Sequence, residues 1–276
     1  SINIVLLVYA VAKLTSVLVG LVSFIPLAFQ LKKTPVVSEK GVLKQIVFTV
    51  GKWEIVRNIF EQFIQPVKYG LLKIFVNIEA VAIFDFAQNI YSFTGSLFPV
   101  SKIIFPIVSR RINDKEKIYL IISKAKKYMF LAYLPMYVAV LIFTTPVLHL
   151  LFPQYIGSQL IIFLVVLHFI TAVYKMGQSA LMYAYNRQRF VFFLTPFFVA
   201  SQILLDIIFV TYFGLIGGVI SWHLHALLGG AVYDYYIHRS IGIKRTSWHE
   251  LFRYDDYDKL ILSGIIGKVK KFIPTR

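Results

Sequence analysis

The chain of 276 residues contains no cysteine. That excludes disulfides, thiolate metal sites and cysteine nucleophiles. Acidic residues are scarce: 13 Asp and Glu stand against 29 Lys and Arg, giving a formal net charge of +16. The six histidines show no metal-ligand spacing, and His223 with His225 alone make too few ligands for a metal site. The sequence has no Gly-rich loop closing on Lys-Ser/Thr, no His-Glu-x-x-His and no Gly-x-Ser-x-Gly. ATP hydrolysis by a P-loop, zinc-protease chemistry and a nucleophile elbow are therefore not expected. No polar stretch is long enough to fold as a soluble glycosyltransferase domain. The expectation is a chain without catalytic residues, cofactor or metal.

What the sequence does have is apolar residues, 58% of the chain with a mean hydropathy of +0.72. Soluble domains run nearer roughly 45–50%, and a water-soluble globule of this size cannot hide the excess. Nucleic-acid binding, the other common meaning of a basic chain, does not fit apolar runs this long. The expected fold class is an all-α integral membrane protein. Seven stretches reach the roughly 20 apolar residues that a membrane helix needs: about 4–28, 45–74, 80–107, 128–152, 157–183, 190–213 and 214–238.

The basic residues then order these spans. Four, seven, two and nine Lys and Arg lie in segments 31–44, 108–127, 184–189 and 239–276, which is 22 of the 29. The alternate connections, 1–3, 75–79, 153–156 and the turn near Gly214, have none. By the positive-inside rule this asymmetry places the N-terminus outside and the C-terminus in the cytoplasm of a multi-pass inner (plasma) membrane protein. No basic segment or signal peptide precedes the first span, and the chain starts with Ser. These features lead to the expectation of the C-terminal part of a longer protein, with an odd number of helices upstream.

Two polar segments stand out beside the spans. Asn113 with Glu116 makes a capping-box signature, followed by Ile118, Ile121, Ile122 and Ala125 at helical spacing. It predicts a short amphipathic helix leading into the span at 128. In the tail 247–275, the aromatic and acidic residues around Asp255, Asp256 and Asp258 precede an apolar stripe with Lys268, Lys270 and Lys271. This predicts a basic amphipathic helix on the anionic inner leaflet.

Charged groups at membrane depth are expensive and usually hidden from lipid. In span 45–74, Glu54, Arg57, Glu61, Gln65 and Lys68 recur at spacings 3, 4, 4 and 3, on one helix face. Pro66 should bend that helix. The stripe has two readings. In one, Glu54–Arg57, Arg57–Glu61 and Glu61–Lys68 are structural ion pairs between packed helices. In the other, it lines a hydrated transport lumen, the expectation preferred here because five polar positions in a row exceed what packing requires. Shorter polar faces carry Asp85, Gln88, Asn89, Ser92 and Ser96; His168, Thr171, Lys175 and Gln178; and Gln202 with Asp206. Lys13 stands alone in the first span. The mid-depth balance is slightly positive and suits an anionic cargo such as a diphosphate. Arg57, Lys68, Lys175, Gln65 and Lys13 are the candidate substrate-binding residues, and Glu61, Asp85 and Asp206 the candidate ion-coupling residues. The three histidines at depth are either proton relays or packed core groups.

Several segments carry a family resemblance. Phe84-Asp85-Phe86-Ala87-Gln88, continuing through Leu97-Phe98-Pro99 to Ile104-Phe105-Pro106-Ile107-Val108-Ser109-Arg110, resembles the eighth helix of polysaccharide flippases. Thr145-Pro146 through Phe152, with Tyr155, is similar to the end of that family's ninth helix. Ala180 to Arg189 looks like its short inner turn after helix ten, with Tyr185-Asn186 in place of the usual small-Gly pair, and Gly214-Leu215-Ile216-Gly217-Gly218 resembles the turn opening helix twelve. The resemblance covers about residues 31–240 and implies the MOP superfamily of multidrug, oligosaccharidyl-lipid and polysaccharide exporters, in its lipid-linked oligosaccharide (O-antigen flippase-like) branch. It implies a MATE-like transporter of two six-helix lobes around a cationic lumen. Residues 1–30 would be the last helix of the N-lobe, 31–44 the cytoplasmic inter-lobe loop, 45–240 the six-helix C-lobe and 241–276 a basic tail. The implied partners are a lipid-linked glycan substrate, membrane lipids, a polysaccharide polymerase and glycosyltransferases, with no nucleic acid. Two alternatives stand beside the flippase: a MATE-like drug or cation antiporter, for which an acidic lumen is expected, and an integral-membrane glycan polymerase or ligase, for which a large outer loop is expected.

Overall fold

A computed structural model describes residues 51–97, 100–259 and 263. The span 4–28, Lys13, the loop 31–44 and the lysine-rich end of the tail lie outside the described residues. Those described are almost entirely helical: α1 (Lys52–Gln62), α2 (Ile64–Phe75), α3 (Ile78–Ser96), α4 (Val100–Arg110), α5 (Lys115–Leu151), α6 (Gln159–Val166), α7 (Phe169–Lys175), α8 (Gln178–Ala184), α9 (Gln188–Tyr236) and α10 (Trp248–Phe252).

Local chemistry sets the breaks. Pro66 has no N–H to give the Gln62 carbonyl, and its ring crowds that turn. The helix accordingly ends at Gln62 and restarts at Ile64 as α2. The Asn77 side chain caps α3 by accepting from the Ala80 N–H at 2.7 Å. α5 is capped by Asp114, whose Oδ1 accepts from the Lys117 N–H at 3.0 Å. The cap therefore falls one residue after the expected Asn113. The amphipathic segment is also no separate helix. It runs straight into the following apolar stretch as one helix of 37 residues, about 55 Å long at 1.5 Å per residue.

The run 157–183 is continuous in sequence and broken in space. α6, α7 and α8 are separated near His168 and at Gly177, whose φ is +82°. α9 contains a reversal at Gly214 (φ 58°, ψ −135°). Its arms, 188–213 and 215–236, run antiparallel: Phe190 stacks on Tyr236, Phe198 meets Tyr233, and Ser221 donates to Asp206. A side chain cannot reach this φ and ψ without strain. Gly217 is held to glycine by the other arm, because a Cβ there would lie 1.8 Å from the Phe209 carbonyl oxygen.

The buried apolar residues form two clusters. One gathers Leu72, Phe84, Leu148, Ile161, Val210 and Val219, next to the connections near 76, 152 and 214. The other gathers Val108, Ile118, Leu181, Val191, Ile237 and Ile241, next to those near 112, 186 and 242. Successive connections thus alternate between two ends of the helix bundle. The connections bearing Arg110, Arg111, Lys115, Arg187, Arg189, Lys244 and Arg245 share one end, in the alternation that the positive charges imply.

Three described stretches are long and apolar enough to cross a membrane: Lys115–Leu151, Pro153–Ala184 and Gln188–Ile241. The last is 54 residues and holds the Gly214 reversal, so it supplies two antiparallel arms rather than one crossing. The chain is thus an all-α membrane protein.

The near part of the tail departs from the expected interfacial helix. It folds back on the first turns of α5. Lys124 pairs with Asp255 at 2.7 Å and with Asp258 at 3.0 Å, and Lys127 pairs with Asp258 at 2.7 Å. Tyr128 donates to Asp258 at 2.7 Å, and Tyr119 donates to Glu250. Asp258 is 1% exposed. Burial pushes its carboxyl up, but the hydrogen bonds from Lys127, Tyr128, the Asp255 backbone and Lys124 outweigh that and hold it well below the usual carboxylate range. The aromatic–acidic segment thus serves as a counter-charge for the lysines of α5.

Candidate functional site

Helix α1 brings Arg57 and Glu61 to one wall of a pocket of about 310 Å³. α7 adds Lys175, α8 adds Gln178, Ser179, Met182 and Tyr183, and the two arms of α9 add Val191 and Tyr233. The pocket lies in the half of the bundle nearer the basic connections, since Met182 and Val191 also belong to that end's apolar cluster. The break at Gly177 matters here. It turns α8 so that Gln178 and Tyr183 reach the same space as Lys175.

Arg57 is the most heavily engaged group. Its Nη2 donates to Glu54 at 2.5 Å and to Asn58 at 3.3 Å, and its Nη1 donates to the Tyr183 hydroxyl at 2.7 Å. Its Nε lies 3.5 Å from Glu61. The Tyr183 hydroxyl in turn donates to the other Glu54 oxygen at 2.7 Å. Guanidinium, carboxylate and phenol thus close a ring that ties α1 to α8. Lys175 is exposed to the pocket and makes no ion pair or hydrogen bond among the described residues. Gln178 is 5% exposed. Its Nε2 donates to the Gly230 carbonyl at 2.9 Å, which fixes the amide orientation, and its Oε1 has no partner. Gly230 permits this close approach, since a Cβ there would lie 2.6 Å from the Tyr174 ring and 3.0 Å from Lys175 Cγ.

The other expected site residues lie elsewhere. Lys68 and Asp206 are sealed in the interior at 2% and 0% exposure, 3.2 Å apart. Lys68 also donates to the Gly218 carbonyl at 3.2 Å and lies over the Phe84 ring. Asp206 Oδ1 accepts from Gln202 at 2.9 Å and from Ser221. Of the three ion pairs considered along the α1–α2 stripe, Glu54–Arg57 and Arg57–Glu61 form, whereas Lys68 pairs with Asp206 instead of Glu61. Gln65 and Asp85 are on an exposed face of α2 and α3: Gln65 donates to Gln88 at 3.0 Å, and Tyr69 donates to Asp85 at 2.5 Å. The deep histidines are packed. His168 stacks on Trp222 and lies 3.1 Å from His223, while His225 bonds the Phe198 carbonyl at 3.0 Å. No cluster of potential metal ligands occurs among the described residues.

Two residues of the pocket carry more than the sequence suggested. Tyr183 was visible only as part of the turn 180–189. Gln178 shared a helical face with Lys175, and that spacing was its signal.

A bundle of apolar helices with a charged, hydroxyl-lined pocket at its basic end defines the class: an all-α membrane protein with a polar pocket among its helices. The comparisons with known proteins sharpen it. Residues 4–159 match the profile of a family described as polysaccharide biosynthesis protein, and the chain belongs to that family. This bears out the resemblance to polysaccharide flippases carried by 84–110 and 145–155. The chain is also 23% identical over 278 aligned positions to the probable low-salt glycan biosynthesis flippase Agl15 of Haloferax volcanii, covering 96% of this chain and 56% of that protein. It thus spans about half the length of the curated relative it matches. No solved structure matches the chain.

Proposed function

We propose that the protein is a flippase. It would move a polyprenyl-diphosphate-linked oligosaccharide from the inner to the outer leaflet for cell-surface polysaccharide synthesis. It would do so as a secondary transporter rather than an enzyme, by alternating access between two lobes and driven by an ion gradient. On this reading residues 45–240 form the six-helix C-lobe, the last of seven spans brings the C-terminus into the cytoplasm, and the basic end of the bundle faces inward. The observation that carries the proposal is the pocket holding Arg57, Glu61 and Lys175 within an apolar bundle, in a chain of a polysaccharide biosynthesis family. A polar headgroup crossing a bilayer needs such a hydrated, charge-lined stop. The matched relative's description as a glycan biosynthesis flippase agrees with it.

Replacing Arg57 and Lys175 together with Ala should reduce glycan export more than tenfold and pile up lipid-linked glycan on the inner face, read by leaflet-specific lectin or enzymatic labelling. Full export at normal protein level would refute the pocket's role. An antiporter would instead leave glycan export intact and alter cation or drug efflux.

A further inference from the structure

The pocket's unused hydrogen-bonding capacity says which part of the cargo it holds. Arg57 is not available to a ligand as a bare cation, because Glu54, Glu61, Asn58 and Tyr183 already surround its guanidinium; only its Nε, buried 3.5 Å from Glu61, lacks a hydrogen bond. Lys175 is the remaining cation of the wall; it makes no hydrogen bond or ion pair among the described residues and is attracted at longer range by Glu61. Glu61, half-exposed on the same wall, repels a polyanion and accepts from hydroxyls. Gln178 lines the wall with its Nε2 held by the Gly230 carbonyl; its Oε1 is buried and without a partner, and a buried acceptor left unpaired is destabilising, so a ligand that opens the space beside it gains by donating an O–H or N–H.

A diphosphate diester at neutral pH is doubly charged and has no proton to donate. It would meet one free ammonium, face the Glu61 carboxylate and leave the Gln178 acceptor unsatisfied. A sugar carrying one carboxylate beside its hydroxyls meets all three demands: carboxylate to Lys175, hydroxyl to Gln178 Oε1, hydroxyl to Glu61. Resting on the flippase reading, we infer that this pocket is a glycan subsite that binds a monoanionic, uronic-acid-type sugar, and that the diphosphate is held elsewhere.

The test is ligand-dependent thermal unfolding of the purified full-length protein in detergent. Three probes at matched ionic strength are used: a tetrasaccharide alternating glucuronic acid and N-acetylglucosamine, neutral chitotetraose, and inorganic pyrophosphate. The acidic tetrasaccharide is expected to raise the midpoint, with apparent affinity at least tenfold weaker in Lys175→Met and weaker in Gln178→Leu. Lys175→Gln serves if the Met variant does not fold. Chitotetraose should give a smaller shift that ignores residue 175, and pyrophosphate none. A pyrophosphate shift that vanishes with Lys175 would overturn the inference, as would equal shifts from both saccharides or no saccharide shift at all. Export separates this from the flippase reading. If pyrophosphate binds and Lys175→Ala still abolishes export, only the glycan assignment falls; if Lys175→Ala exports normally, the pocket's transport role falls too.

Discussion

Arg57 and Lys68 stand on one apparent stripe, yet they occupy opposite environments. Arg57 borders an open pocket, in a ring with Glu54 and Tyr183 that leaves Lys175 exposed beside it. Lys68 is buried at 2% exposure against an Asp206 that is fully enclosed. The difference teaches that charge at membrane depth has two uses. A hydrated group keeps part of its solvation and can exchange it for a ligand. A dry pair has no water to exchange, and its attraction only has to offset desolvation of both charges. The Lys68–Asp206 pair joins α2 to the first arm of α9, and its bond to the Gly218 carbonyl adds the second arm. It pins the Gly214 hairpin.

The largest expected effect follows from breaking the dry pair on one side. Lys68→Met leaves Asp206 as a lone buried carboxylate and should destabilise the protein by about 3–5 kcal/mol, seen as a lost or sharply lowered thermal transition in detergent. The double variant Lys68→Met, Asp206→Leu should recover much of that loss, because an apolar pair of similar volume removes the desolvation penalty. If the single and double variants fall equally, the pair is not a sealed unit and the contrast with the pocket collapses. Export sharpens the same contrast from the other side: Lys175→Ala should abolish transport while shifting the unfolding midpoint by no more than a few degrees, since removing an exposed, unpaired group changes stability by only about 0.5 kcal/mol.

Helix periodicity and charge alternation made most of the described bundle legible in the sequence. The apolar runs at 128–152 and 157–183 are helical, and Gly214 marks a true reversal because only glycine adopts that backbone there without strain. The stripe Glu54 to Lys68 was legible as polar and misleading as a single face. Projection at 100° per residue assumes one straight helix, and Pro66 breaks this one at Gln62. Arg57 and Glu61 before the break line the pocket, and Lys68 after it turns into the core. The Lys124–Asp258 contact was not legible at all. It joins residues 134 positions apart, and no local spacing rule links a lysine to an acid at that distance.

A smaller effect concerns the tail, where an ion-pair cluster joins it to the first turns of α5. The Asp258 carboxyl is held below its unfolded value by Lys127, Tyr128 and Lys124 despite burial. A depressed carboxylate contributes stability that is fully present above the unfolded pKa and is lost as pH falls through the folded one. Docking of 246–258 should therefore hold from neutral pH down to about 4, the ordinary carboxylate value, and loosen below it. Asp258→Asn should loosen it already at pH 7. Hydrogen exchange over 246–258 measures both, with several-fold faster exchange expected in the variant; unchanged exchange would mean that the salt bridges do not hold the segment.

The mildest intervention decides which way the pocket faces. These 276 residues contain no cysteine, so a single thiol can be placed among them without competition from a native one in the same segment. Gly157 is exposed in the connection between α5 and α6, and a Cβ there meets nothing within 4 Å. Asn113 is exposed at the opposite, basic end. Neither substitution should alter stability or export. In intact cells a membrane-impermeant maleimide should label Gly157→Cys and spare Asn113→Cys until the membrane is opened. That result would set the Arg57–Lys175 pocket in the cytoplasmic half of the bilayer and the Lys68–Asp206 pair in the outer half, so that loading would begin at the wet site with the dry pair closing the far side. The reverse labelling would place the pocket at the outer face, where it would release cargo rather than capture it.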